Sequence, residues 1–166
     1  MVEIVADAAA FDRISAADIT RLTEAATAST FYVEDMPDEH VAANRRVVAI
    51  SAGCCEAAAA SDRQRFGAAF VDGMFAGYVI ATVHGPDDRE LDWLMVDPRF
   101  HGTPVSAALM EDGIAWLGAD NALWLNVLRH NERAIRFYRR FGFEVDPDAT
   151  TAHVVPHAIM RRPAGA

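Results

Sequence analysis

The segment of this chain whose residue types and spacing say most about chemistry runs Asn131-Glu132-Arg133-Ala134-Ile135-Arg136-Phe137-Tyr138-Arg139-Arg140-Phe141-Gly142-Phe143. Asn131 is a good helix N-cap. Ala134, Phe137, Tyr138 and Phe141 recur at i, i+3, i+4 and i+7 and share one helix face, with arginines on the other. Gly142 stands where a left-handed C-cap belongs. A phenol on an apolar face needs a partner for its hydroxyl, and the residues alone read as a core tyrosine bonded to a backbone carbonyl. A second group is Glu90-Leu91-Asp92-Trp93-Leu94-Met95-Val96. Strand alternation places Glu90, Asp92, Leu94 and Val96 on one face. Such a carboxylate is either a solvated strand end or a proton acceptor. The third group is His101-Gly102-Thr103-Pro104-Val105-Ser106. Thr103 suits an N-cap and Pro104 the first helical position. The free N–H groups of such a start hold anions, although an ordinary capped helix has the same residues.

These groups need elements to position them. Residues 2–6 suit a short edge strand. Ser15 opens a helical pattern through Ile19, Leu22 and Ala26. Pro37, followed by acidic Asp38 and Glu39, opens a second helix reaching about Ala60. Phe66 to Val71 and Phe75 to Val83 flank Asp72-Gly73, a hairpin signal. Gly85-Pro86-Asp87-Asp88 is a turn, and Glu90 to Val96 a strand. A helix over Thr103 to Leu117, a buried strand over Leu123 to Leu128, a helix over Asn131 to Phe141, and strands over Phe143 to Val145 and His153 to Met160 complete the chain. This order is an α/β layout on a mixed sheet. Trp93, Trp116 and Trp124 sit inside elements and read as core. Glu34-Asp35-Met36-Pro37-Asp38-Glu39, between the first two helices, reads as a solvated capping patch.

The Asn131–Phe143 segment resembles the pattern Asn-x-x-Ala-x-x-Phe-Tyr-x-x-x-Gly-Phe of the GNAT superfamily of N-acetyltransferases, and matches it at every fixed position. Glu90 to Leu109 resembles the strand, pyrophosphate loop and helix of the same superfamily. The likeness spans Phe66 to Met160 in layout. It implies one domain over residues 1–166, with a mixed, mostly antiparallel central sheet, a splayed strand pair and helices on both faces. It implies acetyl transfer from acetyl-CoA to a primary amine by direct attack. Tyr138 protonates the departing thiolate and Asn131 contacts the cofactor. The backbone of Leu94, Met95 and Val96 pairs with the pantetheine arm. His101, Gly102, Thr103, Pro104, Val105 and Ser106 surround the pyrophosphate, through the amides of Thr103, Val105 and Ser106 and a protonated His101. Glu90 is the general base, with Asp92 competing. The loop departs from the family: His101, Pro104 and Ser106 replace Gln or Arg, Gly, and Gly or Ala. A non-catalytic acyl-CoA-binding sensor or scaffold is therefore the alternative, and a longer acyl donor a further variant.

The acidic composition mildly favours cationic small molecules or peptides by field attraction, or serves solubility alone. Net charge is −9, which disfavours duplex nucleic acid. All fifteen basic residues are arginine, so the chain offers no lysine to acetylate. No apolar run is long enough for a membrane span. Cys54 and Cys55 are adjacent, a poor geometry for a disulfide, and no cluster suggests a metal. The expectation is a cytoplasmic, metal-free monomer or homodimer acting on a small-molecule or peptide amine.

Overall fold

A computed structural model describes all 166 residues. The elements are β1 (Val2–Ala6), α1 (Ala16–Phe31), α2 (Asp38–Ala59), β2 (Gln64–Val71), β3 (Met74–Gly85), β4 (Asp88–Val96), α3 (Val105–Leu117), β5 (Leu123–Leu128), α4 (Glu132–Arg139), β6 (Glu144–Val145) and β7 (His157–Arg162). Single 3-10 segments follow β1 and β4. The seven strands form one sheet in the order β1-β2-β3-β4-β5-β7-β6. Every neighbouring pair is antiparallel except β4 and β5, which run parallel. The expected mixed, mostly antiparallel sheet with helices on both faces is the observed fold.

Local sequence explains the elements. At α1, Ser15 Oγ accepts from Asp18 N while Asp18 accepts from Ser15 N, a reciprocal capping box. Along α2 the buried positions Asn44, Val48, Ser51, Cys55 and Ala58 fall every three or four residues, so one stripe meets the sheet. Asp72 and Gly73 both have positive φ, the requirement of the tight turn joining β2 to β3. Gly77 is needed for close approach. A Cβ there would stand 2.6 Å from the Met95 carbonyl oxygen in β4 and 3.0 Å from Leu109 in α3.

Two cores flank the sheet. On one face α1 and α2 cover Phe66, Phe70, Tyr78 and Ile80 with Ile19, Leu22, Cys55 and Ala58. On the other α3 covers Val79, Ala81, Leu91 and Leu125 with Leu109, Met110, Ile114 and Leu117, and α4 adds Phe137 and Tyr138. Each fully buried large apolar side chain here is worth about 1.5–3 kcal/mol. Arg65 of β2 grips Asp112 of α3 through two bonds of 2.8 and 2.7 Å, fixing the helix against the sheet.

Several boundaries differ from expectation. α3 begins at Val105 because the N–H and hydroxyl of Thr103 both bond back to the Phe100 carbonyl, holding Thr103 in the preceding turn. α4 stops at Arg139. The amides of Arg140, Phe141 and Gly142 tighten onto Phe137, Tyr138 and Arg139, and Gly142 takes φ +87°. β7 starts at His157 because Pro156 has no N–H and its carbonyl accepts from Arg129. The three tryptophans are only partly buried, and Trp124 lies outside the cores.

Candidate active site

β4 and β5 are registered at one pair only, Glu90 with Trp124. Beyond it, the β5-facing edge of β4 from Leu91 to Val96 has no strand partner. The splayed pair is therefore present, with Glu90 at its vertex. β4 also carries a bulge. Ile80 faces Trp93 and the next residue, Ala81, faces Leu91, so Asp92 is supernumerary. The bulge overturns simple alternation. Leu91, Leu94 and Val96 pack with the α3 core, Trp93 and Met95 with the α1/α2 core. Glu90 and Asp92 do share a face, but Leu94 and Val96 lie on the opposite one.

Glu90 is 6% exposed. Its Oε2 lies 2.7 Å from His84 Nε2, and its Oε1 accepts weakly from Asn126 Nδ2 at 3.5 Å. Asn126 Oδ1 is buried without any partner. Asp92 accepts from Thr82 Oγ1 at 3.5 Å. Burial and then the charge of Asp92 raise the Glu90 carboxyl above the usual range, against the opposing pull of His84 and Asn126. Burial likewise raises Asp92. His84 stacks on Trp124 at 5.9 Å, and Trp124 Nε1 donates to Asp88 at 2.7 Å. Neither His84 nor Asn126 follows from motif spacing. Hairpin register puts Thr82 opposite Glu90, and His84 reaches it only through a second irregularity between Val83 and Gly85.

The loop after β4 presents as many free amides as expected, but only that of Ser106 is common to both sets. The N–H of His101 bonds Pro98 and that of Thr103 bonds Phe100. Val105 N–H rests 3.4 Å from Thr103 Oγ1. Pro104, at φ −66°, has none to give. The amides of Gly102, Ser106 and Ala107 have no bond within the chain, and Gly102 takes φ +77° in the turn that leads to them. His101 does not offer the expected cation. Arg133 Nη1 donates to its Nδ1 at 3.0 Å, and burial followed by the Arg133 charge lowers its pKa. The positive charge beside the loop is therefore that of Arg133, from the outer face of α4. Arg99 is held by Asp97 through bonds of 3.1 and 2.8 Å.

In α4, Asn131 caps as expected: its Oδ1 accepts from Ala134 N at 3.2 Å. Tyr138 is half-buried, edge-on to Phe137 and Phe143. It is not bonded to a backbone carbonyl, and burial alone pushes its phenol up to about 12. The acidic segment 34–39 is exposed apart from half-buried Met36. Two surface hollows border the loop after β4, the first touching Thr103, Pro104 and Val105 and the second Asp97 and Pro98. One of about 350 Å³ is lined mainly by apolar residues between β1 and the start of α3; the other, about 670 Å³, lies between α1 and Arg99. No group of His, Cys, Asp and Glu is gathered to hold a metal, and no helix is long and apolar enough to cross a membrane.

The chain is 40% identical over 82 residues to an uncharacterized N-acetyltransferase of Mycobacterium tuberculosis, and equally to one of Mycobacterium bovis. That match takes in 48% of this chain and 52% of the relative, so the chain spans about half the length of the curated relatives it matches. Its fold is similar to that of the PaiA N-acetyltransferase from Thermoplasma acidophilum in complex with coenzyme A, with a TM-score of 0.71 and 19% identity over 98% of this chain and 99% of that one. Ard1 from Thermoplasma volcanium has a TM-score of 0.66 and 20% identity, over 97% and 96%. Residues 20–143 match the model of the acetyltransferase (GNAT) family, and with three quarters of its length so matched the chain belongs to that family.

Proposed function

We propose that this chain, as one domain, transfers an acetyl group from acetyl-CoA to a primary amine of a small molecule or peptide by direct attack. The observation that carries this reading is the single β4–β5 pair, which leaves a gap in the sheet with a buried carboxylate at its vertex. The residues present fit coenzyme A. The unpaired β4 edge at Leu94, Met95 and Val96 offers backbone groups to the pantetheine arm. The free amides of Gly102, Ser106 and Ala107, with Arg133 beside them, suit the pyrophosphate. Thr103, Val105 and His101 shape that loop, and Asn131 fixes the start of α4. Bound acetyl-CoA supplies an acyl group activated as a thioester.

Glu90 removes the proton that an ammonium must lose before its nitrogen can attack; burial raises its carboxyl above the usual range, which makes it a stronger base. Asp92 adds negative charge that draws the cation inward. Backbone N–H groups near Met95 polarise the carbonyl. Tyr138 Oη gives its proton to the departing sulfur. With a pKa near 12 the phenol stays protonated throughout the working range, and the burial that raises it disfavours a free thiolate in the same place.

The test is thiol release from acetyl-CoA with a panel of primary amines. Release that saturates with at least one amine supports the transferase. Tight coenzyme A binding without release from any amine supports the non-catalytic acyl-CoA module. Faster release from longer acyl donors revises the donor alone.

A further inference from the structure

Glu90 sits between two irregularities, one in each strand. Asp92 is the extra residue of β4 and His84 the extra residue of β3, where Val83 faces Arg89 and Gly85 faces Asp88. Bulges re-aim side chains, and these two bring a second titratable group to each side of one buried carboxylate. The sides differ in access to water. Toward the gap lie Asn126, whose Oδ1 is unpartnered, and half-buried Asp92, with Cys54 of α2 nearby. Toward the surface lies His84, its side chain 42% exposed against 7% for Glu90, at 2.7 Å. His84 is also held in place. It stacks on Trp124, whose indole N–H is fixed by Asp88. No arginine or other cation is bonded to Glu90. A proton taken from an acceptor inside the gap therefore meets one ionisable group that leads outward.

We propose that His84 is the outlet through which Glu90 returns the acceptor's proton to solvent. The inference rests on the transferase reading and gives one of its residues a partner. Written out, the ammonium nitrogen gives a proton to Glu90, and the carboxylic acid formed gives it from Oε2 to His84 Nε2. The imidazolium then releases its Nδ1 proton to water, which restores the carboxylate and leaves His84 as its Nε2–H tautomer; proton exchange with water returns the ring to the Nδ1–H form that accepts again. His84 touches no substrate. It acts through Glu90, and in its neutral form accepts the proton while stacked on Trp124.

Two variants test this. His84→Gln keeps a polar group of similar reach at an exposed site but cannot relay a proton. His84→Ala opens a space against Trp124 that free imidazole can enter. The Glu90 carboxyl is first followed by ¹³C NMR against pH in the parent and in His84→Gln. Loss of the imidazole removes an interaction that lowers the Glu90 pKa, so its titration moves to higher pH. An unmoved titration overturns the pairing, whatever the activity. Rates are then read with the best acceptor. Both variants lose at least about tenfold in kcat, the acidic limb of His84→Gln shifts upward, and imidazole restores His84→Ala. A parent that turns over amines while His84→Gln keeps its rate and pH profile overturns the outlet and leaves the transferase standing. A parent that acetylates no amine overturns both.

Discussion

Two tyrosines of one sheet-and-helix framework live in opposite circumstances. Tyr78, under α1 and α2, is fully buried, and its hydroxyl pairs with Thr23 Oγ1 at 2.7 Å while Thr23 donates to the Ile19 carbonyl. Tyr138, on α4, lies edge-on to Phe137 and Phe143 and is bonded to no group of the chain. The contrast extends to the neighbourhoods. Under α1 and α2, Thr27, Asn44 and Ser51 all bond backbone carbonyls. At the vertex, Asn126 Oδ1 is orphaned and Glu90 is buried with only partial compensation. An unmade hydrogen bond costs stability, so the two regions differ in what their polar groups still lack: the packing under α1 and α2 is saturated, and the vertex of the gap is not.

The sharpest break of this comparison is Tyr138→Phe. We expect kcat to fall about 10²-fold, roughly 2.7 kcal/mol of barrier, with coenzyme A affinity and melting temperature nearly unchanged. Turnover at the parent rate reduces Tyr138 to a packing residue.

Glu90→Gln comes next. The loss of rate should be largest where Glu90 is ionised and the amine still protonated, and should shrink toward alkaline pH. Stability should move the other way. A carboxyl whose pKa is raised on folding destabilises the native state as pH rises through the interval from its ordinary value to the raised one. Glutamine carries no such penalty, so at neutral pH the variant should melt later than the parent. A flat rate comparison hands the role to Asp92 or to water; an earlier melt shows that the Glu90–His84 bond outweighs the cost of burial.

A smaller effect is expected at the loop. Pro104→Gly adds a donor at the start of α3 and should tighten coenzyme A binding several-fold. It should also lower fold stability by about 0.4–1 kcal/mol through the freer unfolded chain. Calorimetric titration and a melting curve read both, and weaker binding means that the loop holds the cofactor by another geometry.

Smallest is Tyr78→Phe. Thr23 keeps its bond to Ile19, so the loss is about 1 kcal/mol, or roughly 2–4 °C in melting temperature, with kcat untouched. A fall in kcat at constant stability would erase the division between the two regions.

How much of this was legible beforehand varies by residue. The capping of Ser15 and Asn131 is a local rule, and both caps formed. The Leu123–Leu128 strand was bounded correctly because apolar residues fill five of its six positions between polar Asn121 and Arg129. The splay followed from the resemblance of Glu90–Leu109 to family sequences, not from alternation, which misplaced Leu94 and Val96. A bulge is a tertiary compromise between two strands, and nothing in Asp92 itself marks it as the extra residue. His84, Asn126 and Arg133 were invisible for a related reason. Each enters through register or helix docking, over sequence separations of 6, 36 and 32 residues from Glu90, Glu90 and His101.

The bulge at Asp92 has a consequence for how this strand tolerates insertion and deletion. Remove that one residue and Glu90-Leu91-Trp93-Leu94-Met95-Val96 alternates without fault. Leu91, Leu94 and Val96 would still meet α3, and Trp93 and Met95 would still meet α1 and α2. No apolar side chain would change sides, so neither core resists the shorter chain. The deletion would leave β4 regular along its ladder with β3. Asp92 is thus an extra acidic residue that neither core requires, and the ladder between β3 and β4 can lose one residue at that point without turning an apolar side chain over.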